Sequence, residues 1–205
     1  MLKVRRIGTF SALASVLLIG SLALPASASH LSFGAKLTPS TQPNGPEACS
    51  DNVDSSPSGA VCSWVARVAF ENGSHYTAPA NGTLTRLKLV SCTPGKFTLQ
   101  LVKLNSHGHA KAVRNGPVIR YKGDARNASG DCGGPDGVDY IIQVFKINLR
   151  VDKGEYIAVK AASVGTLHCS GDNMDLYYPP LATGTTYRSR SGGTGCALLV
   201  SLQYG

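Results

Sequence analysis

Between Phe145 and Val151 the chain alternates without a break, Phe145, Ile147, Leu149 and Val151 against Lys146, Asn148 and Arg150. A period of two puts one dry and one wet face on a strand, and it would scatter the same apolar residues around a helix. Asp152-Lys153-Gly154 follows as a turn, because Asp bonds to nearby backbone and Gly accepts the positive φ of a three-residue loop. The return segment, Glu155 to Ala162, again sets Ile157, Val159 and Ala161 on one face. The stretch from Val138 to Ala162 is therefore predicted to be a central β-hairpin. Tyr140, Ile142 and Val144 fall on the opposite parity to Phe145, which asks for a bulge near Gln143 or a strand buried on both faces.

The same grammar recurs along the chain. A strand is expected from Cys62 to Phe70. Thr83 to Val90, with Leu87 and Leu89 set against Arg86 and Lys88, and Lys96 to Leu104, with Phe97, Leu99 and Leu101 on one face, flank the turn Thr93-Pro94-Gly95 as a second hairpin. Val113 to Lys122, interrupted by Asn115-Gly116-Pro117, suits a sheet edge. Thr166 to Ser170 and Asp175 to Tyr178 read as short strands split by Gly171-Asp172-Asn173, and Thr185 to Ser189 and Cys196 to Tyr204 complete a set of about ten. No helical period competes with them. The expected fold is all-β, an antiparallel two-sheet β-sandwich of jelly-roll type.

The first residues set the compartment. Lys3, Arg5 and Arg6 precede an uncharged run from Ile7 to Leu24, and Ala26-Ser27-Ala28 is an A-x-A cleavage site. Residues 1–28 are expected to be a disordered secretory signal segment, 29–60 an irregular arm rich in Ser, Pro, Asn, Gly and Thr, and 61–205 the sandwich. Cleavage takes three of the 20 basic residues and none of the 12 acidic ones, so the net charge falls from +8 to +5. The remaining Lys and Arg stand singly along strands, with no nucleic-acid-binding motif, which argues against nucleic acid as a partner. No stable membrane insertion is expected once the leader is removed, and the location is extracellular.

All six cysteines, Cys49, Cys62, Cys92, Cys132, Cys169 and Cys196, lie in the mature part. An even count behind a signal peptide reads as three disulfides, and the absence of any C-x-x-C pair argues against zinc. Among fifteen connectivities, pairing between chain neighbours is favoured: Cys49 with Cys62, Cys92 with Cys132, Cys169 with Cys196.

The order of the strand Thr85 to Leu89, the strand Phe97 to Leu101, the turn Val151 to Ile157, the segment Tyr177 with Pro179 to Leu181, and an apolar last strand resembles secreted β-sandwich proteins of actinobacteria. The resemblance spans roughly residues 83 to 204 and implies a fold and a compartment. It carries no catalytic residue onto this chain.

Candidate chemistry is sparse. Asp124, Asp131, Asp136 and Asp139, with Asn127, lie in a Gly-rich loop whose oxygens suit Ca²⁺, the one cofactor weighed, although Asx turns would use the same residues. His107 and His109, two apart, could share a metal with His75 or His168, or simply sit in a solvated loop. Tyr177, Tyr178 and Tyr187 surround the Pro-Pro segment as an expected exposed patch able to stack on sugar rings, whereas Trp64 belongs in the core. Asn72, Asn81 and Asn127 fit the N-glycosylation pattern, which would stay unused in a bacterial chain. No nucleophile elbow, P-loop or dinucleotide fingerprint is present, and no catalytic residue is assigned. The expectation is a non-catalytic module that binds a glycan, cell-wall material or a protein. The alternatives are a secreted hydrolase or Ca²⁺-dependent enzyme using loop Asp and His residues, and a purely structural surface protein.

Overall fold

Alternating side chains bury alternating faces, and the segment that shows the pattern most cleanly in sequence does so in space: Ile147, Leu149 and Val151 point inward while Val144, Lys146, Asn148 and Arg150 are exposed. The computed structural model describes residues 31–43, 45–67, 75–123, 140–184 and 186–205, with backbone alone at 172 and 173. Its elements are β1 (Ser32–Gly34), β2 (Glu47–Ala48), a single helical turn α1 (Cys49–Asn52), β3 (Cys62–Ala66), β4 (Gly82–Leu89), β5 (Gly95–Leu104), β6 (Ala110–Tyr121), β7 (Gln143–Val151), β8 (Tyr156–Ala161), β9 (Ser163–Val164), β10 (Leu167–Tyr177), β11 (Gly192–Leu198) and β12 (Val200–Tyr204).

Two antiparallel sheets carry the fold. One has the order β1-β12-β4-β7, the other β11-β10-β3-β8-β5-β6, and β2 pairs with β9 as a small ribbon. Setting aside the short ribbon and the β10–β11 hairpin, eight strands remain. The first pairs with the last (β1 with β12), the second with the seventh (β3 with β8), the third with the sixth (β4 with β7) and the fourth with the fifth (β5 with β6). That nesting is the jelly roll. The β10–β11 hairpin extends the second sheet beyond β3.

Neither predicted hairpin is a hairpin. β7 pairs with β4 in the four-stranded sheet, whereas β8 lies between β3 and β5 in the other. Likewise β4 and β5 belong to different sheets. Asp152 to Glu155 is therefore an arch across the sandwich. A tight turn reverses the chain whether the next strand lies beside the first or opposite it, so turn chemistry alone does not choose. Here the choice is anchored by Glu155, which is fully buried: both its carboxylate oxygens accept from Arg114 Nη1 at 2.7 Å, and Oε2 also accepts from the Asp152 amide at 3.0 Å. Gly154, at φ 84°, donates its amide to the Ala78 carbonyl.

Other boundaries also move. No bulge lies at Gln143, because β7 starts there and Tyr140 to Ile142 are not strand, although the Tyr140 ring is buried. The register shift of this sheet falls instead between Leu84 and Arg86 of β4. β6 is an edge strand as expected but runs unbroken past Gly116, and the two short strands around Gly171 are one, β10, with a register shift between Cys169 and Met174. Of the expected strand Cys62 to Phe70, residues 68–70 lie outside the described residues. The arm is not irregular throughout. β1 hydrogen-bonds to β12, Phe33 and Ala35 are buried, and α1 is tied to β3 by the Cys49–Cys62 disulfide. Phe33 supplies the apolar anchor that the Ser- and Pro-rich composition concealed.

The interior between the sheets is filled by Trp64, Leu87, Leu89, Phe97, Leu99, Ile157, Leu176 and their neighbours. Trp64 donates its indole N–H to the Ala161 carbonyl, so burial leaves no orphan donor. A second, smaller core lies on the outer side of the six-stranded sheet. Val65, Val102, Ala158 and Tyr177 have the opposite parity to the inner residues, and Leu181 covers them from the segment that follows β10. That strap is fixed by buried polar bonds: Ser63 Oγ donates to Gln100 Oε1, Gln100 Nε2 donates to the Leu181 carbonyl, and the Leu181 amide donates to Ser63 Oγ.

Two of the three expected disulfides are present, Cys49–Cys62 and Cys169–Cys196, and none of the described cysteines is free. Cys132 of the expected Cys92–Cys132 pair lies outside the described residues. Among the described residues no helix is long and apolar enough to cross a membrane.

Candidate functional site

The strap makes the sandwich two-sided in character. The outer side of the six-stranded sheet is covered over its apolar part, while the outer side of the four-stranded sheet faces solvent directly. Its surface follows from the registers. One cross-strand row runs Gly34, Ser201, Lys88, Val144, and the next runs Ser32, Gln203, Arg86, Lys146. Both rows pass from neutral groups on β1 and β12 to a cation on β4, and the second continues to a further cation, Lys146, on β7, with neighbouring strands roughly 4.8 Å apart. Arg86 and Lys146 stand directly opposite one another, a like-charge pairing that a sheet accepts at some cost. Lys88, Arg86 and Lys146 form no ion pair among the described residues.

On its β1 side this face deepens into a cleft of about 360 Å³, lined by Ser32, Gly34, Lys36, His75, Lys88, Ser201 and Gln203. Gly34 sits at φ 108°, and a Cβ there would run into the Val200 carbonyl oxygen, so the floor is bare backbone by necessity. The Gly34 amide donates to the His75 carbonyl and the His75 amide to that of Gly34, which holds the imidazole-bearing segment beside the cleft. A second hollow of about 650 Å³ continues past Phe33 and His75 toward Arg67, Thr77, Pro79 and Lys153. Among the described residues no carboxylate lines either hollow.

Four of the described carboxylates are engaged elsewhere. Asp175 is buried and bonded to Arg67 Nη1 at 2.9 Å and Arg190 Nη1 at 3.3 Å, while Asp152 and Glu155 share Arg114. Glu47 accepts from Asn52 Nδ2. Glu47, Cys169 and Cys196 present ligand atoms within 4.8 Å of one another, the one such trio among the described residues, but both sulfurs are committed to a disulfide.

The tyrosines expected as one exposed patch are not one. Tyr177 is fully buried under the strap, with its hydroxyl donating to the Gly108 carbonyl at 3.2 Å. Tyr178 is half-buried against the inner core, and Tyr187 is 38% exposed with the Lys111 ammonium over its ring at 4.7 Å. Pro179-Pro180 marks where the chain folds back over the sheet, so the neighbouring ring serves the smaller core instead of a ligand. Trp64 is core, as expected.

His107 and His109 occupy the tight β5–β6 loop, whose amides at both residues donate to Asn105 Oδ1, and their rings are 6.1 Å apart. His168 Nδ1 is bonded to the Gln42 carbonyl on β10, and His75 flanks the cleft. No histidine joins a metal-ligand trio among the described residues. Asp124, Asn127, Asp131, Asp136 and Asp139, the expected Ca²⁺ loop, and Asn72 lie outside the described residues. Asn81 Oδ1 accepts from the Lys153 amide and so braces the arch.

Burial, and after it the charge of Asp175, pushes the Tyr177 phenol up to about 12. An unfolded tyrosine titrates near 10. The stability that comes from keeping this phenol neutral is thus complete below about pH 10 and drains away as pH climbs through the folded value. Tyr177→Phe should flatten the alkaline arm of the stability–pH curve between pH 10 and 12, measured by urea unfolding. Coincident arms for the two proteins would show that the phenol is not held neutral.

Comparison of the chain with family models, curated proteins and solved structures finds no match.

Proposed function

We propose that this is a secreted, disulfide-stabilised jelly-roll module that binds a polysaccharide through the cleft on the outer face of its four-stranded sheet. The single observation that carries the reading is that cleft, with its backbone floor at Gly34 and the hydroxyl and amide groups of Ser32, Ser201 and Gln203 gathered from the two ends of the described chain. Such groups both donate to and accept from sugar hydroxyls, and a concave site largely pre-formed by paired strands loses little entropy on binding. The disulfides are compatible with the extracellular compartment that the leader suggests.

What favours binding over hydrolysis is the position of the acids. Glycoside hydrolysis needs two carboxyl groups flanking the bond. Among the described residues Asp152, Glu155 and Asp175 are held in ion pairs with Arg114, Arg67 and Arg190.

Affinity electrophoresis in gels containing soluble polysaccharides tests the reading. Retardation is expected to fall at least tenfold in apparent affinity for Ser201→Tyr, which fills the floor of the cleft, and to be unchanged for Tyr187→Ala. Migration unaffected by every polysaccharide, or retardation that survives Ser201→Tyr, would sink it.

A further inference from the structure

The hydrogen-bonding half of the exposed sheet face is continuous with a cationic half, and Arg86, Lys88 and Lys146 have no ion-pair partner among the described residues. Lys88 adjoins Ser201 across the β12–β4 pairing, and Arg86 lies between Gln203 and Lys146. The bulge between Leu84 and Arg86 leaves Arg86 and Lys88 on one face, about 7 Å apart along the strand at two residues' rise. Three positive charges held this close repel one another, a cost that an anionic ligand would relieve. Among the described residues neither hollow beside β1 contains a compensating acid.

Resting on the polysaccharide reading above, we infer that the ligand is a carboxylated polysaccharide, one built from uronic acid residues, whose carboxylates meet Arg86, Lys88 and Lys146 while its hydroxyls meet Ser32, Ser201 and Gln203. Two features select this class among polyanions. The Gln203 side-chain amide and the serine hydroxyls accept as well as donate, and sugar hydroxyls supply the matching protons where a polyphosphate offers acceptors alone. The site is also partly concave, and the exposed apolar side chains beside it, Leu31 just before β1 and Val144 on β7, stand at opposite edges of the sheet and form no single centre. A lipid surface needs a protruding apolar centre instead. Arginine presents a planar fork to a carboxylate and lysine a point charge, so the pair Arg86 and Lys146 can hold one carboxylate between them while Lys88 meets the next.

The measurement is binding of the mature protein to polygalacturonate and to its fully methyl-esterified form, which keeps the backbone and removes the charge, with polyphosphate and phosphatidylglycerol vesicles as further arms. Polygalacturonate is expected to bind at least thirtyfold more tightly than the ester. That affinity should fall about tenfold for Lys88→Gln, fall further for Arg86→Gln with Lys146→Gln, and weaken as salt rises from 50 to 500 mM because the charges are exposed. These side chains are at the surface, so thermal unfolding is expected to match the parent protein. Equal binding of the ester and the acid, abolished by Ser201→Tyr but indifferent to Lys88→Gln, would overturn the anionic assignment while leaving the polysaccharide reading intact. Binding to polyphosphate or vesicles with none to polygalacturonate would overturn both.

Discussion

Arg114→Met is expected to destabilise the domain by about 3–5 kcal/mol, the cost of leaving a buried charge without its counter-ion. Glu155 is wholly inaccessible, and Arg114 supplies both of its side-chain partners as well as a 2.6 Å bond from Nη2 to Asp152 Oδ2. The methionine keeps the aliphatic packing of Arg114 and removes the guanidinium alone. Adding Glu155→Gln should restore much of the loss, because a neutral amide oxygen can still accept from the Asp152 N–H that Glu155 holds now. Denaturant unfolding of the two single variants and the double variant checks this. A double variant as weak as Arg114→Met would show that the arch is held by something other than this ion pair.

The same cluster sets an acid response. The hydrogen bond from Arg114 is the chief cause that holds the Asp152 carboxyl below its ordinary value. A lowered folded value means that the contribution is present above the unfolded pKa, near 3.8, and is lost as pH falls through the lower folded one. In Arg114→Met the larger part of that protection is lost, with Arg150 left as the remaining cation beside Asp152, and the acid arm should begin at higher pH.

Removal of the disulfides gives the second large effect. In the chain-entropy model the Cys49–Cys62 and Cys169–Cys196 loops are worth roughly 3 and 3.5 kcal/mol, upper values because native strain and residual structure subtract from them. Against the net stability of an ordinary domain, on the order of 5–15 kcal/mol, the loss of both threatens the fold at body temperature. The two bridges are not independent. Glu47, two residues before Cys49, places Oε1 3.9 Å from Cys169 Sγ, and β2 pairs with β9 just ahead of β10. Paired Cys→Ala changes should therefore fail to add, with the second bridge mattering less once the first is gone. A denaturation midpoint that stays put under a strong reductant would refute the assignment of stability to these links.

Strand positions were legible because alternation is local. Leu87 and Leu89 against Arg86 and Lys88 can be read from β4 alone, and the structure places them as read. Neighbour pairing of cysteines was legible for the two described bridges for a related reason, since short loops close most readily. What sequence could not show was which strands lie side by side. Asp152-Lys153-Gly154 would serve a hairpin and an arch equally, and the nesting of first strand with last has no local signature. The same limit hid the candidate site. Lys88, Ser201 and Gln203 each read as the polar side of a strand, and only the register of β12 on β4 brings them together. Tyr177 went the other way, because its place next to Pro179-Pro180 suggested a surface loop, while the chain after it folds back as a cover.

The pairing of β1 with β12 also sets the order in which the molecule can be completed. Its partners come from opposite ends of the described chain, so this pairing adds heavily to contact order and cannot form until the final strand is available. The β5–β6 hairpin, in contrast, can assemble early, from local contacts alone. The cleft, whose floor is β1 and whose wall is β12, exists only afterwards. A molecule that lacks its last strand has no such cleft.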